Sequence, residues 1–296
     1  MKKMLSLVMA ITMCLSLAAC SGGTTSQGES SQSPAASTPA ASSSQGASST
    51  PADAESDLAY VQDQGTLYVG ITNFAPMDYK EAGSDEWIGF DADMAKAFAE
   101  SLGVNVEFQE ITWDYKVQEL DSKTIDCVWN GMTINDEVTA AMGVSEPYCT
   151  NYQTLVYPVD RAADFEGLTS LEGLSIAVES GSAGEDAAEE LGATTVPVQS
   201  QANTLMEVAS GTSDAAVIDV LMAAEMTGEG TSYEGLSYSL NLNEAQGLDS
   251  ESYGVGFRQD SDLVDAFNTF WAEEVASGAA LEIATTYGLQ DAVILE

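Results

Sequence analysis

The stretch NGMTINDEVTAAM, Asn130 to Met142, follows the apolar run Cys127-Val128-Trp129 and passes into helical spacing. A glycine, a threonine and an asparagine at a strand-to-helix corner leave backbone N–H groups pointing outward, where the helix dipole favours an anion. Asn130, Gly131 and Thr133 are therefore candidates to hold an acceptor-rich group. No lysine or arginine stands between Lys123 and Arg161 to help them. Gly181 and Ser182 open a second helix and read equally as another such turn or as a plain cap. Asp219 ends a short buried strand, where aspartate is favoured as a helix N-cap. Its carboxylate has more than two acceptor sites, so capping leaves room for a second partner. Phe74 and Trp113 are isolated aromatics, and taken alone such residues belong to the core.

Composition closes several routes to chemistry. The 296 residues carry 8 lysines and arginines against 47 aspartates and glutamates, with no histidine and a formal net charge of −39. Nucleic acid is excluded as a partner, because binding it requires cations that neutralise phosphates. Docking on anionic lipid headgroups fails for the same reason. Without histidine there is no Ser-His-Asp or Cys-His nucleophile pair and no His-ligated metal. Asp91-Ala92-Asp93 lacks the third ligand and the glycine of a calcium loop. After Gly254-Val255-Gly256 comes Gln259, where a dinucleotide fingerprint needs its third glycine. No cofactor or metal is expected.

The elements that would position these residues alternate between strand and helix signals from about Asp57 onward, which predicts an α/β fold with mostly parallel sheets. Leu67–Ile71 reads as a strand, Phe90–Leu102 as a helix stopped by Gly103, and Val104–Ile111 as a strand. Asp114–Leu120 is helical, and Ile125–Asn130 is the strand that feeds the first corner. The pattern restarts with Leu174–Val178, a turn and an amphipathic helix, then Ala215–Ile218. Tyr152–Tyr157 and Tyr253–Phe257 are extended stretches flanking this second unit, placed to carry the chain out and back. Helices at 261–276 and 280–286 then return to the first unit.

The N-terminus is of another kind. MKK precedes LSLVMAITMCLSLAA, an apolar run shorter than the ~20 residues of a membrane span, so residues 1–19 read as a secretory signal. Leu17-Ala18-Ala19-Cys20 resembles the lipobox of bacterial lipoproteins, which implies cleavage before Cys20 and a diacylglycerol on its sulfur. Residues 21–51 contain no Val, Ile, Leu, Met or aromatic residue, so the 20–56 segment is expected to be a disordered tether. A flexible coil of that length spans roughly 30 Å. Of the remaining cysteines, Cys127 and Cys149 are either bridged or buried as thiols.

In order along the chain, GFDADMAKAFAESLGV, WNGMTI, SEPY, AVESGS, DAAVID and YGVGF with LEIATTYGL resemble the extracellular solute-binding proteins of family 3. These are the polar amino acid receptors of bacterial ABC importers. The resemblance covers about residues 57 to 296 and implies the type II periplasmic-binding-protein fold, two α/β lobes joined by a two-strand hinge. The lobes are expected at 57–157 with 253–296, and at 158–252. It further implies that Phe74 and Trp113 sandwich the ligand side chain, by burial or cation–π attraction. Asp219 would then pair with an α-ammonium. Gly131 with Thr133, and Gly181 with Ser182, would form two halves of a carboxylate clamp.

One position departs from the pattern. Relatives that bind α-amino acids usually carry an arginine where this chain has Val138. The expected function is capture of an amino acid or related small polar solute for an ABC permease, by a monomer held to the outer face of the cell membrane through its lipid alone. The alternative solute is a polyamine or quaternary amine without an α-carboxylate. A third reading is a dehydratase-like enzyme using Glu179 as its acid or base.

Overall fold

Two sheets organise the chain, and residues 56–245, 247 and 250–295 of this computed structural model are described here. The strands in chain order are β1 (Thr66–Ile71), β2 (Asn105–Glu110), β3 (Cys127–Thr133), β4 (Gly143–Val144), β5 (Cys149–Asn151) and β6 (Gln153–Pro158). They continue as β7 (Ser175–Glu179), β8 (Thr194–Val198), β9 (Ala215–Asp219), β10 (Leu236–Asn241) and β11 (Glu251–Phe257). The first sheet runs β2-β1-β3-β11-β4, with β5 also on β11, and the second runs β10-β6-β9-β7-β8. The signal sequence, Cys20 and the tether up to residue 55 lie outside the described residues. Among the described residues no helix is long and apolar enough to cross a membrane.

The first sheet is built on β1, which pairs in parallel with β2 and β3 and is buried through Val69, Gly70 and Ile71. A strand covered on both faces takes an apolar run rather than an alternating one. The helix Phe90–Leu102 lies against it through Phe90, Met94, Ala95 and Phe98, positions that fall on one face at helical spacing. Gly103 ends it in the left-handed region, φ +75°, which glycine adopts without strain. Phe98 meets Phe267 at 5.6 Å and Phe270 at 5.2 Å on the helix Leu263–Ser277, which packs the C-terminal segment onto the first unit.

The sheets are more mixed than the expected parallel ones. Strands β6 and β11 run antiparallel to their neighbours, because each begins where the chain changes sheet. The changes also come earlier than the expected lobe boundaries after residues 157 and 252. Asn151 is still paired in the first sheet while Gln153 is already paired in the second, and Glu251 and Ser252 are back in the first. Backbone pairing with β9 claims all of Gln153–Val156, and pairing with β5 claims 251 and 252.

Below the sheet, Arg258 ties three distant segments together. Its Nε donates to both oxygens of Asp57 at 3.0 and 2.9 Å, Nη2 to Asp126 at 3.0 Å and Nη1 to the Ile125 carbonyl at 2.9 Å. Cys127 and Cys149 are both buried thiols without a bridge.

Candidate functional site

A cavity of about 290 Å³ opens where the two sheets face each other. Trp113, Asn130, Gly131 and Thr133 line it from the first unit, and Gly181, Ser182 and Asp219 from the second. Seven of the eight residues expected at the site thus share one cavity. Phe74 is the exception. It is 1% exposed and forms a floor rather than a wall, edge-on to Tyr253 at 6.3 Å. Gly131, at φ +57°, lies on that floor, and a Cβ there would come within 2.4 Å of the Phe74 ring.

At the first corner two of the expected donors are already engaged within the protein. Backbone pairing of Met132 with Gly254 and of Thr133 with Tyr253 carries β3 through it, and the helix starts only at Asp136, capped by Asn135. The Gly131 N–H donates to Asp91 Oδ2 at 2.8 Å, and Thr133 Oγ1 donates to Glu251 Oε2 at 3.0 Å. Both side-chain groups of Asn130 are engaged as well. Its Oδ1 accepts from Thr72 N and Oγ1, and its Nδ2 donates to the Thr72 carbonyl and to Asp78 at 2.7 Å. Asn130 is a strut between β1 and β3.

The second turn repeats this arrangement. The Gly181 N–H donates to Glu185 Oε2 at 2.7 Å, and Ser182 Oγ caps its helix by accepting from Glu185 N at 3.1 Å. The protein's own carboxylates therefore occupy the amide of each glycine. Gly181 must also be small, since a Cβ would lie 2.8 Å from Asp114 Cα on the opposite wall.

Asp219 does not cap the helix that follows it. Its Oδ1 accepts from Asn151, from Gln153 at 3.1 Å and from Tyr253 Oη at 2.8 Å, while Oδ2 accepts from Gln201. Burial and then the nearby Glu251 charge push this carboxyl up to about 7, against the pull of those donors. Glu179 is 3% exposed with Oε1 unpartnered, and burial lifts it to about 8. Asp114, Glu137 and Asp186 add three more acids to the lining, against one cation, Lys116. Its ammonium bridges the walls, donating to the Gly181 carbonyl at 3.0 Å and lying 5.1 Å from the Trp113 ring centre. Val138 is 7% exposed, lines the cavity and packs with Trp113, Met132 and Met142 in an apolar wall.

Lys116, Glu251 and the amides of Asn151, Gln153 and Gln201 were not singled out by the sequence. Lys116 carried a usable signal, as a lone cation three residues past Trp113 in an acidic chain. The amides carried none, because polar residues beside a chain crossing are ordinary.

These acids make a pH prediction. Asp91 and Asp219 titrate near about 7 and Glu179 near about 8 in the fold, burial being the largest cause for each, whereas unfolded carboxyls titrate near ~4. Between those limits the folded state holds more protons, so stability is present in mild acid and is lost as pH rises through 7 to 8. Scanning calorimetry should therefore give a higher thermal midpoint at a pH of about 5.5 than at about 8.5.

The model of the bacterial extracellular solute-binding proteins, family 3, matches residues 67–290. The arginine-binding extracellular protein ArtP of Bacillus subtilis (strain 168) is 29% identical over 200 residues, covering 66% of this chain and 75% of its own. Among solved structures, the P235GK mutant of ArgBP from T. maritima superposes with a TM-score of 0.70 at 28% identity, over 78% of this chain and 99% of that one. An ABC uptake transporter substrate-binding protein from Streptococcus pneumoniae, with bound histidine, gives 0.67 at 25% identity over 79% and 97%.

Proposed function

The chain belongs to the bacterial extracellular solute-binding proteins, family 3, and from that premise we propose that it captures a cationic amino acid or closely related amine for an ABC permease. The observation that carries the cationic reading is the lining itself, in which five carboxylates face one lysine and Asp219 is buried without a cation. An isolated buried carboxylate is costly unless paired, so the cavity favours a ligand that supplies positive charge. Trp113 offers an aromatic face to the same cation. The relatives named for arginine and the neighbour holding histidine support a basic amino acid.

In this reading the lobes meet at the changes of sheet and close over the solute by a hinge motion. The solute leaves unchanged, with Glu179 lining the cavity rather than acting in catalysis. Cys20 anchors the mature monomer to the outer face of the membrane through its lipid, and two acyl chains suffice for that attachment.

The amides of Gly131 and Gly181 are already used, so a ligand carboxylate meets either the Thr133 N–H, which its pairing with Tyr253 leaves free, or side-chain donors such as the Ser182 hydroxyl and the Lys116 ammonium. Neither provides the bidentate fork of an arginine. Calorimetry should therefore find that the wild type binds L-arginine and its decarboxylated amine comparably. Val138→Arg should tighten binding of L-arginine alone, by about 1.5–3 kcal/mol, the scale of a charged hydrogen bond. A wild type that prefers the amine, with a variant that improves neither, assigns the cavity to amines without a carboxylate. Failure of both compounds to bind, with L-leucine or L-glutamate binding instead, removes the cationic reading.

A further inference from the structure

Asp219 and Glu251 stand side by side where the chain changes sheet, and they share their donors. Asn151 Nδ2 and Gln153 Nε2, on either side of the crossing at Tyr152, each donate both to Asp219 Oδ1 and to Glu251 Oε2. Thr133 Oγ1 completes the shell of Oε2 at 3.0 Å, and Asn243 Nδ2 reaches Oε1 at 3.0 Å. Asn151 and Gln153 are 2% and 1% exposed, and their carbonyl oxygens have no donor. Both amides are thus committed to the two acids, and no cation bonds to either carboxylate among the described residues.

The two acids differ in access. Asp219 lines the cavity, whereas Glu251 stands behind it, half-buried. On Asp219, Oδ1 already accepts from Asn151, Gln153 and Tyr253, while Oδ2 accepts from Gln201 alone and is the oxygen left to carry a proton. The charged and titratable groups facing it are Glu251 and Tyr253 on β11, Glu179 on β7 and Cys149 on β5, with Lys116 acting on Glu179 from the opposite wall. After burial, the Glu251 charge is the largest influence raising this carboxyl.

We propose that Glu251 is a positioning residue whose charge keeps a proton on Asp219 in the unoccupied cavity, and that a cationic solute binds by displacing that proton. The inference rests on the cationic-solute reading above. In the step, the O–H bond of the Asp219 carboxyl breaks and the proton passes to a buffer base. The carboxylate left behind pairs with the ammonium or guanidinium of the solute. Linkage fixes the sign: below the pH at which Asp219 titrates, affinity falls by up to about tenfold per unit of acidification, and above it affinity is flat.

Two measurements test this, both in a Glu179→Gln background so that the other buried acid of the cavity does not contribute. The first needs no ligand. Carbon-13 NMR of the Asp219 carboxyl should show a titration near neutrality that moves to lower pH in Glu251→Gln and stays closer to neutrality in Glu251→Asp, which keeps the charge. The second is calorimetry of L-arginine binding in buffers of different ionisation heat. It should show up to one proton released below a pH of about 7 and none well above it, with the release shifted to lower pH in Glu251→Gln. An Asp219 titration that Glu251→Gln leaves unmoved overturns the proposal, as does L-arginine binding without proton release throughout the Asp219 titration. Absence of L-arginine binding overturns the cationic-solute reading instead, while the ligand-free titration still decides the coupling of the two acids. Circular dichroism of each variant identifies any that fails to fold, and where Glu251→Gln does, Glu251→Ala, which also removes the charge, carries the comparison with Glu251→Asp.

Discussion

Asp219→Asn is expected to weaken binding of a cationic solute at a pH of about 8 by roughly 2–5 kcal/mol, the scale for losing one partner of a buried, hydrogen-bonded charge pair. Folding should respond differently. Asparagine keeps an oxygen for Asn151, Gln153 and the Tyr253 hydroxyl and removes the repulsion between Asp219 and Glu251, while its amide nitrogen costs Gln201 one acceptor, so the ligand-free thermal midpoint should change much less than the affinity. Near a pH of about 6 the wild-type carboxyl holds its proton, and the penalty relative to wild type shrinks. Calorimetry at both pH values with L-arginine checks this. Equal affinity of variant and wild type at the higher pH would show that Asp219 meets no cation and serves only its four donors.

The largest stability effect is expected at Arg258→Ala, at about 3–5 kcal/mol. That is the cost of removing one member of a buried ion network and leaving the others uncompensated. Asp126 is 1% exposed and would lose its ion pair, keeping only donors from Tyr68 N and Gln64. Asp57 would retain only Lys123 at 4.0 Å, a half-exposed partner. The Ile125 carbonyl would lose its donor as well. Arg258→Lys should recover only part of the loss, because one ammonium cannot span both aspartates and the carbonyl as the planar fork does. Urea unfolding should show a lower midpoint with an unchanged slope. An unfolding free energy within about 0.5 kcal/mol of wild type would place the network among weak surface pairs.

Much of the scaffold is legible in the sequence, because its signals are local. The helix Phe90–Leu102 announces itself by spacing and by Gly103, and both reflect only the geometry of a few neighbouring residues. The helix starts at Asn135 and Ser182 are equally local, since each side chain caps an N–H three residues ahead. What fails is non-local. Nothing between Asn130 and Thr133 reveals that β11 will extend β3 through the corner, because the pairing residues lie beyond position 250. Nor does Gly131 show that its amide will be taken by Asp91, forty positions earlier. Asp219 reads as a cap from its immediate neighbours, and its actual partners come from other strands and another helix. Glu251 depends on Asn151, 100 positions away, and on Thr133, 118 away. A site assembled from chain crossings is visible in the sequence only through resemblance.

The two buried thiols leave the chain open to selective chemical modification. Burial raises the thiol pKa of both Cys127 and Cys149, and the thiolate is the form that reacts with alkylating reagents. A protein beginning at Ser56 also lacks Cys14 and Cys20. Tyr115, 53% exposed and two positions from Trp113, sits beside the cavity wall without contributing to its lining. Cysteine placed there would be the one accessible thiol among the described residues. A maleimide dye should attach once per chain, two positions from the cavity-lining Trp113, so the native fold offers a single defined place for an optical reporter.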